Sequence, residues 1–204
     1  MPYVIDHPLA AHALTHLRDK TTAPATFRTL CYQVGLLLAL EATRDLPTQP
    51  KSIETPLEKI DSPVLGQGLV VVPILRAGLG MLQPYTDLFP SVSVGYVGLE
   101  RDHETAVAHS YYCKLPPLDG RRVLCVDPML ATGGSASQAL RVLRENGAQD
   151  LRLVTIVSAP EGVAAIEKDH PDVPVITAAV DRELNNQSYI VPGLGDFGDR
   201  LYGT

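Results

Sequence analysis

Within residues 127–135 the chain places an acid, Asp127, a few positions ahead of Thr132-Gly133-Gly134-Ser135. Two hydroxyls and a row of backbone N–H groups at a helix start can hold a phosphate, aided by the helix dipole. Asp127 has the same sign of charge as that anion, so it suits sugar hydroxyls or a metal instead. An anion cradle and an acid sharing one loop describe a ribose-5-phosphate site. Taken alone, Gly133-Gly134 is also an ordinary turn and Asp127 an ordinary helix cap. The complete run Asp127-Pro128-Met129-Leu130-Ala131-Thr132-Gly133-Gly134-Ser135, in its strand–loop–helix frame, favours the site. The P-loop string G-x-x-x-x-G-K-[ST] does not occur.

The flanking segments supply that frame. Val123-Leu124-Cys125-Val126 is a continuous apolar run, the signature of a strand buried on both faces. After the loop, Ala136, Ala139, Leu140 and Leu143 recur at helical spacing, and Gly147 marks the stop. Open α/β sheets bind ligands at such strand ends. Leu69-Val70-Val71-Val72-Pro73-Ile74-Leu75 repeats the pattern, with Arg76-Ala77-Gly78 after it and a helix through Met81. A guanidinium there can grip a diphosphate with a planar fork of donors, and small neighbours let backbone approach a ligand. The bland alternative is a surface arginine closing a strand.

Further strands are predicted near residues 151–157 and 175–180, with helical connections. Residues 92–99 and 106–114 alternate as a hairpin with a mobile middle from 101 to 109. Leu30, Val34, Leu37 and Leu38 recur at helical spacing between Phe27 and about Arg44, until Pro47 and Pro50 stop the helix. Residues 48–56 are polar and proline-bearing, as in a surface connection. The last two dozen residues look loop-like. Alternating strands and helices imply a parallel sheet with helices on both faces.

The tail, residues 190–199, contains a literal G-x-G-x-x-G, yet no βαβ unit follows it, so a dinucleotide is not indicated. Its glycines supply backbone that can contour around a flat ligand. Interleaved Ile190, Val191, Leu194, Phe197, Leu201 and Tyr202 weigh against a disordered tail. Three other matches are set aside. Asn186-Gln187-Ser188 is a glycosylation sequon without a secretory route. His12 and His16 lack the glutamate of H-E-x-x-H and read as a helix face. Ser135 and Ser137 have no nearby histidine and acid in an arrangement that suggests a nucleophile.

The 204 residues suffice for one α/β domain and are too few for two comfortable ones. A net charge of −6, without Lys/Arg clusters, argues against nucleic-acid or membrane-surface partners. Absent Trp and few aromatics disfavour a stacking platform for single strands. Cys31, Cys113 and Cys125 form neither a C-x-x-C pair nor a zinc pattern. With no signal segment and no apolar run long enough to span a bilayer, a reducing cytoplasm is expected.

The loop at 127–135 resembles the phosphoribosyl-pyrophosphate (PRPP) loop of the phosphoribosyltransferases. Most of those families carry two adjacent acids there; Pro128 in the second place is similar to the uracil phosphoribosyltransferases and unlike the purine enzymes. The resemblance extends through Phe27-Arg28, Glu41-Ala42-Thr43-Arg44-Asp45-Leu46-Pro47, residues 73–81, Arg101-Asp102 with Glu104-Thr105, and the tail from Tyr189 to Thr204. It implies a type I phosphoribosyltransferase-like α/β fold over residues 1–204, with a β-hairpin flexible loop and a C-terminal hood over approximately 181–204.

The same resemblance implies the chemistry. Uracil and PRPP would give UMP and diphosphate, in pyrimidine salvage. Residues Asp127, Pro128, Met129, Leu130, Ala131, Thr132, Gly133, Gly134 and Ser135 would bind PRPP, together with Asp196. Arg76 and Arg101 would hold its pyrophosphate, and they and Asp127 are the implied catalytic groups. Arg101, by residue type alone, is an exposed charge beside Asp102 and Glu104. Ile190, Gly195, Asp196 and Phe197 would hold uracil. Mg²⁺ would be carried mainly by PRPP, with no protein ligand assigned. Dimers or larger homo-oligomers and a GTP effector are implied for the family. The chain departs from the pattern at Glu100, commonly tyrosine, and at His103. Alternatives are an RNA-binding, pyrimidine-sensing regulator of the same fold and a phosphoribosyltransferase for another base.

Overall fold

Runs of Val, Ile and Leu that are apolar toward both sides must be covered on both sides, and here they pair as parallel strands between two helical layers. The computed structural model describes residues 1–101 and 108–204, with side chains described outside positions 100–111. In chain order, β1 (Tyr3–Val4) precedes helices α1 (Pro8–Arg18) and α2 (Pro24–Ala42), then β2 (Thr48–Glu54), β3 (Lys59–Leu65) and β4 (Leu69–Leu75). A 3-10 turn (Ala77–Met81) and α3 (Leu82–Leu88) lead to β5 (Ser93–Val94), β6 (Tyr96–Arg101) and β7 (Ala108–Lys114). Then come β8 (Arg122–Val126), β9 (Met129–Leu130), α4 (Gly134–Glu145), β10 (Asp150–Ser158), α5 (Pro160–Asp169) and β11 (Val175–Val180). The tail holds β12 (Glu183–Leu184), β13 (Ile190–Val191) and α6 (Phe197–Tyr202).

The main sheet runs β1-β11-β10-β8-β4-β6-β7, with β5 beside β4 and β9 beside β10. All its pairs are parallel except β6–β7. From β4 the chain winds outward to β6 and β7, then returns to lay β8, β10 and β11 on the other side. The winding reverses between β4 and β8, so a crevice opens beyond their carboxyl ends, where Arg76 and Asp127 follow. One face is covered by α1, α2, α3 and α6 through Leu17, Phe27, Leu38, Tyr85 and Phe197. The other is covered by α4 and α5 through Leu140, Leu143 and Ile166.

Two expectations are corrected. Residues 48–56 are no simple connection. They open a two-stranded antiparallel ribbon, β2–β3, with β2 exposed throughout. Pro50 faces Pro63 in it, a pairing possible only where neither residue must donate to its partner. The tail is also more regular than loop. Asp196 caps α6, accepting from the Asp199 N–H at 2.9 Å, and Gly203 closes it in the left-handed region. The hairpin β6–β7 forms as expected; the middle assigned to it lies largely outside the described residues.

Candidate active site

The loop after β8 is fastened from beneath by backbone bonds. Asp127 N–H donates to Val154 O at 3.1 Å, and Pro128 O accepts from Ile156 and Val157 N–H at 3.0 Å. Pro128 is buried, and its carbonyl anchors the loop to β10. Gly133 has φ of 84° and precedes α4 as its cap. Any side chain there would be strained, and a Cβ would lie 2.9 Å from Ala165 Cβ. Gly133 is therefore required by backbone shape and by packing onto α5. Gly134 differs: a Cβ there meets nothing nearer than Thr132 Oγ1 at 3.8 Å. The first intrahelical bond of α4 runs from Ser137 N–H to Gly133 O at 2.8 Å, leaving the amides before it free for an anion.

A cleft of about 340 Å³ lies over this loop, with Asp127, Thr132, Gly134 and Ser135 on one wall and Ile190, Gly195 and Phe197 on the other. Met129, Leu130, Ala131 and Gly133 complete the loop side. A second cleft of about 360 Å³ holds Arg76, Asp199 and Tyr202. Asp196 borders both. Arg76 is exposed, and its guanidinium makes no hydrogen bond or ion pair with a described residue. The Leu75–Arg76 peptide is cis. Gly78 serves packing, not ligand approach: a Cβ there would lie 2.6 Å from Val126 O, against the end of β8. Arg101 ends β6, and its side chain lies outside the described residues.

The tail is held down by Arg18 and Arg28 from α1 and α2 and by its own Arg200. Arg18 pairs with Asp181 at 2.6 Å and donates to Gly193 O at 2.8 Å. Arg28 donates to Leu201 O at 2.8 Å. Arg200 lies 4.5 Å over the Phe27 ring and donates to Leu194 O, Asp19 O and Leu17 O. Phe197 packs edge-on against Phe27 with ring centroids 5.4 Å apart, so its ring belongs to the core and its main chain is what remains for the cleft. Burial pushes the Cys31 thiol up to about 12 and raises Cys125 as well, so both stay protonated and inert.

With this geometry in place, the comparisons are specific. A family model described as uracil phosphoribosyltransferase matches residues 4–204. The uracil phosphoribosyltransferase of Alkaliphilus metalliredigens is 52% identical over 99% of this chain and 98% of its own length. The chain belongs to the uracil phosphoribosyltransferase family. The AQ2163 protein of Aquifex aeolicus superposes with a TM-score of 0.95 at 37% identity, covering 100% of this chain and 99% of that one. A hypoxanthine-guanine phosphoribosyltransferase of Bacillus anthracis, at 12% identity and a TM-score of 0.54 over 78% of this chain and 80% of its own, shares the fold alone.

In this member of the uracil phosphoribosyltransferase family the cleft also has walls that sequence reasoning missed. Gln187, Ser188 and Tyr189 line it. Asn185 Oδ1 accepts from Gln187 and Tyr189 N–H at 2.9 Å, holding a tight loop in which Ser188 has φ of 63°. An asparagine ahead of small polar residues is the local signal that could have found it. Ser137 needs a correction as well. His170 Nε2 and Asp169 Oδ2 each lie 3.0 Å from its Oγ, so the three residue types do meet. The acid touches the serine rather than the far nitrogen of the histidine, and both Ser137 and His170 are 6% exposed. That is a buried tie, not a nucleophile.

Proposed function

We propose that this chain transfers the 5-phosphoribosyl group of PRPP to uracil, giving UMP and diphosphate. The observation that carries the reading is the full-length family match combined with the 127–135 loop at the sheet's switch point, on the strand next to the one that leads into Arg76. In this reading the amides opening α4, with Thr132 and Ser135, hold the 5′-phosphate. Asp127 orients the ribose hydroxyls and favours positive charge developing at C1. Arg76 and Arg101 take the leaving diphosphate as the C1–O bond breaks. The hood, residues 181–204 of a chain folding as one unit, holds uracil through main-chain groups at Ile190, Gly195, Asp196 and Phe197. Its N1 is thereby in line to bond with C1 and release its proton. No side chain is assigned as the base.

The donor set fits Mg²⁺. Asp196 and Asp199 offer hard carboxylate oxygens beside Arg76, but the described residues contain no group of three or more metal-binding side chains. Mg²⁺ commonly binds through one or two carboxylates, water and substrate phosphates, so PRPP would bring most of its ligands. When bound, it would neutralise charge on the diphosphate. The surrounding residues supply position: Asp196 borders both clefts, between the base end and the arginine end.

A homodimer or larger assembly is inferred from the family and from the β2–β3 ribbon, which exposes Ile53, Leu57 and Ile60 to solvent. No helix among the described residues is long and apolar enough to cross a membrane. We place the chain in the cytoplasm on its unpaired cysteines. A GTP effector rests on the family resemblance, and titrating GTP against the initial rate tests it. For the main reading, the assay is UMP formation from uracil and PRPP, run beside a salt-dependent RNA-binding titration. UMP formation without RNA affinity supports the enzyme; the reverse favours the regulator. Turnover of another base in preference to uracil would move the assignment within the superfamily.

A further inference from the structure

We propose that Ser137, clamped by His170 and Asp169, is a positioning residue that sets the phosphate cradle, an inference resting on the cradle assignment above. Helix α4 begins at Gly133, which has no side chain to cap its first turn. Ser137 follows that uncapped turn and carries the first intrahelical N–H. Its N–H donates to Gly133 O at 2.8 Å, its Oγ donates to Asp169 Oδ2 at 3.0 Å, and both its Oγ and its C=O lie 3.0 Å from His170 Nε2. A carbonyl only accepts, so Nε2 carries the proton and reaches both oxygens.

The clamp comes from α5, whose last residue is Asp169 and whose cap is His170. The other end of α5 lies under the loop. Ala159 N–H, just before it, donates to Leu130 O at 2.8 Å, and a Cβ on Gly162 would stand 2.4 Å from Ala131 O. Residues 131–137 are thus pinned at both ends to one helix. The free amides of Gly134, Ser135 and Ala136 lie between those pins, so their direction follows from where Ser137 is held. A cradle fixed before the anion arrives loses less freedom on binding.

The test uses the full-length protein, with PRPP affinity by calorimetry in the absence of uracil, steady-state constants for both substrates, and thermal midpoints. Ser137→Ala and His170→Ala, each of which removes two contacts of the clamp, should weaken PRPP binding and raise its KM by about fivefold, the size of one net buried hydrogen bond. The KM for uracil and kcat at saturating PRPP should stay near wild type. His170→Gln, which keeps an N–H donor, should recover most of the affinity. Gly134→Val is the control for the cradle itself. If it leaves PRPP binding intact, the cradle assignment fails whatever Ser137 does. If it abolishes binding while the folded fraction of Ser137→Ala binds PRPP like wild type, with only a lower thermal midpoint, the positioning role is overturned. Equal losses in both substrate constants would overturn it too.

Discussion

Arg18 and Asp181 meet through two hydrogen bonds of 2.7 and 2.6 Å, and the same carboxylate accepts the Gly193 N–H at 2.8 Å. Helix α1 is thereby tied to both ends of the hairpin that carries Ile190. Arg18→Met would leave a nearly buried carboxylate without its cation. Removing one partner of such a pair costs about 3 kcal/mol, the low end of the range because Arg18 retains some exposure. We expect a lower thermal midpoint and a larger rise in KM for uracil than for PRPP. Equal changes in the two constants would show that the pair supports the whole fold rather than the hood.

Gly133 and Gly134 should respond differently to the same substitution. Gly133→Val places a side chain at positive φ against α5 and should destabilise the protein outright. Gly134→Val has room in the free protein and should stay folded while filling space an anion needs. Undiminished PRPP affinity in folded Gly134→Val would remove the cradle from the site.

Arg76→Ala should lose a charge-assisted grip on the leaving diphosphate, about 1.5–3 kcal/mol for hydrogen bonds to a charged group. At ~1.4 kcal/mol per decade, kcat/KM for PRPP should fall at least about tenfold. Because Arg76 has no partner among the described residues, stability should hardly move. Wild-type kcat/KM would sink the assignment.

Main-chain reading of the base predicts rejection of cytosine. Cytosine exchanges the O4 acceptor for an amino donor and lacks the N3 proton, so two buried pairs would be mismatched at roughly 1–3 kcal/mol each. Discrimination of at least tens-fold follows. Truncation before Tyr189 should abolish uracil use. Comparable kcat/KM for the two bases, or a truncated protein still forming UMP, would show that the tail is not the base site.

Asp45 makes stability sensitive to acid. Hydrogen bonds from Arg152 foremost, and from Arg122, pull its pKa from 3.8 down to about 2. A carboxylate with a lowered folded pKa stabilises above its unfolded value and loses that contribution as pH falls through the folded one. Asp45→Asn should therefore be less stable than wild type above pH 3.8, with the difference closing as pH falls to about 2. The check is denaturant unfolding of both proteins across that range. A difference that persists unchanged at the acid end would contradict the mechanism.

The local part of this architecture was legible in the residues. Residues 123–126 form a strand because an unbroken apolar run can be buried on both faces. The helix after residue 133 follows from its 3.6-residue spacing, and the loop between them from its small residues. Each of those signals spans a few neighbours. The ribbon β2–β3 was hidden, although its pairing is local, because its prolines and polar residues mimic a connection and no apolar alternation marks an exposed strand. Parallel pairing of β4 with β8 alone brings Arg76 near Asp127, and tertiary packing alone sets Asp196 between two clefts. Gly162 is required only because α5 lies against the Ala131 carbonyl, where a Cβ would stand 2.4 Å from the oxygen. Ser137, His170 and Asp169 lie on two helices whose contact no local pattern encodes. Hydrophobic periodicity acts over one turn or one strand and fixes the elements. Pairs distant along the chain acquire chemistry only when burial of the two faces brings the elements together.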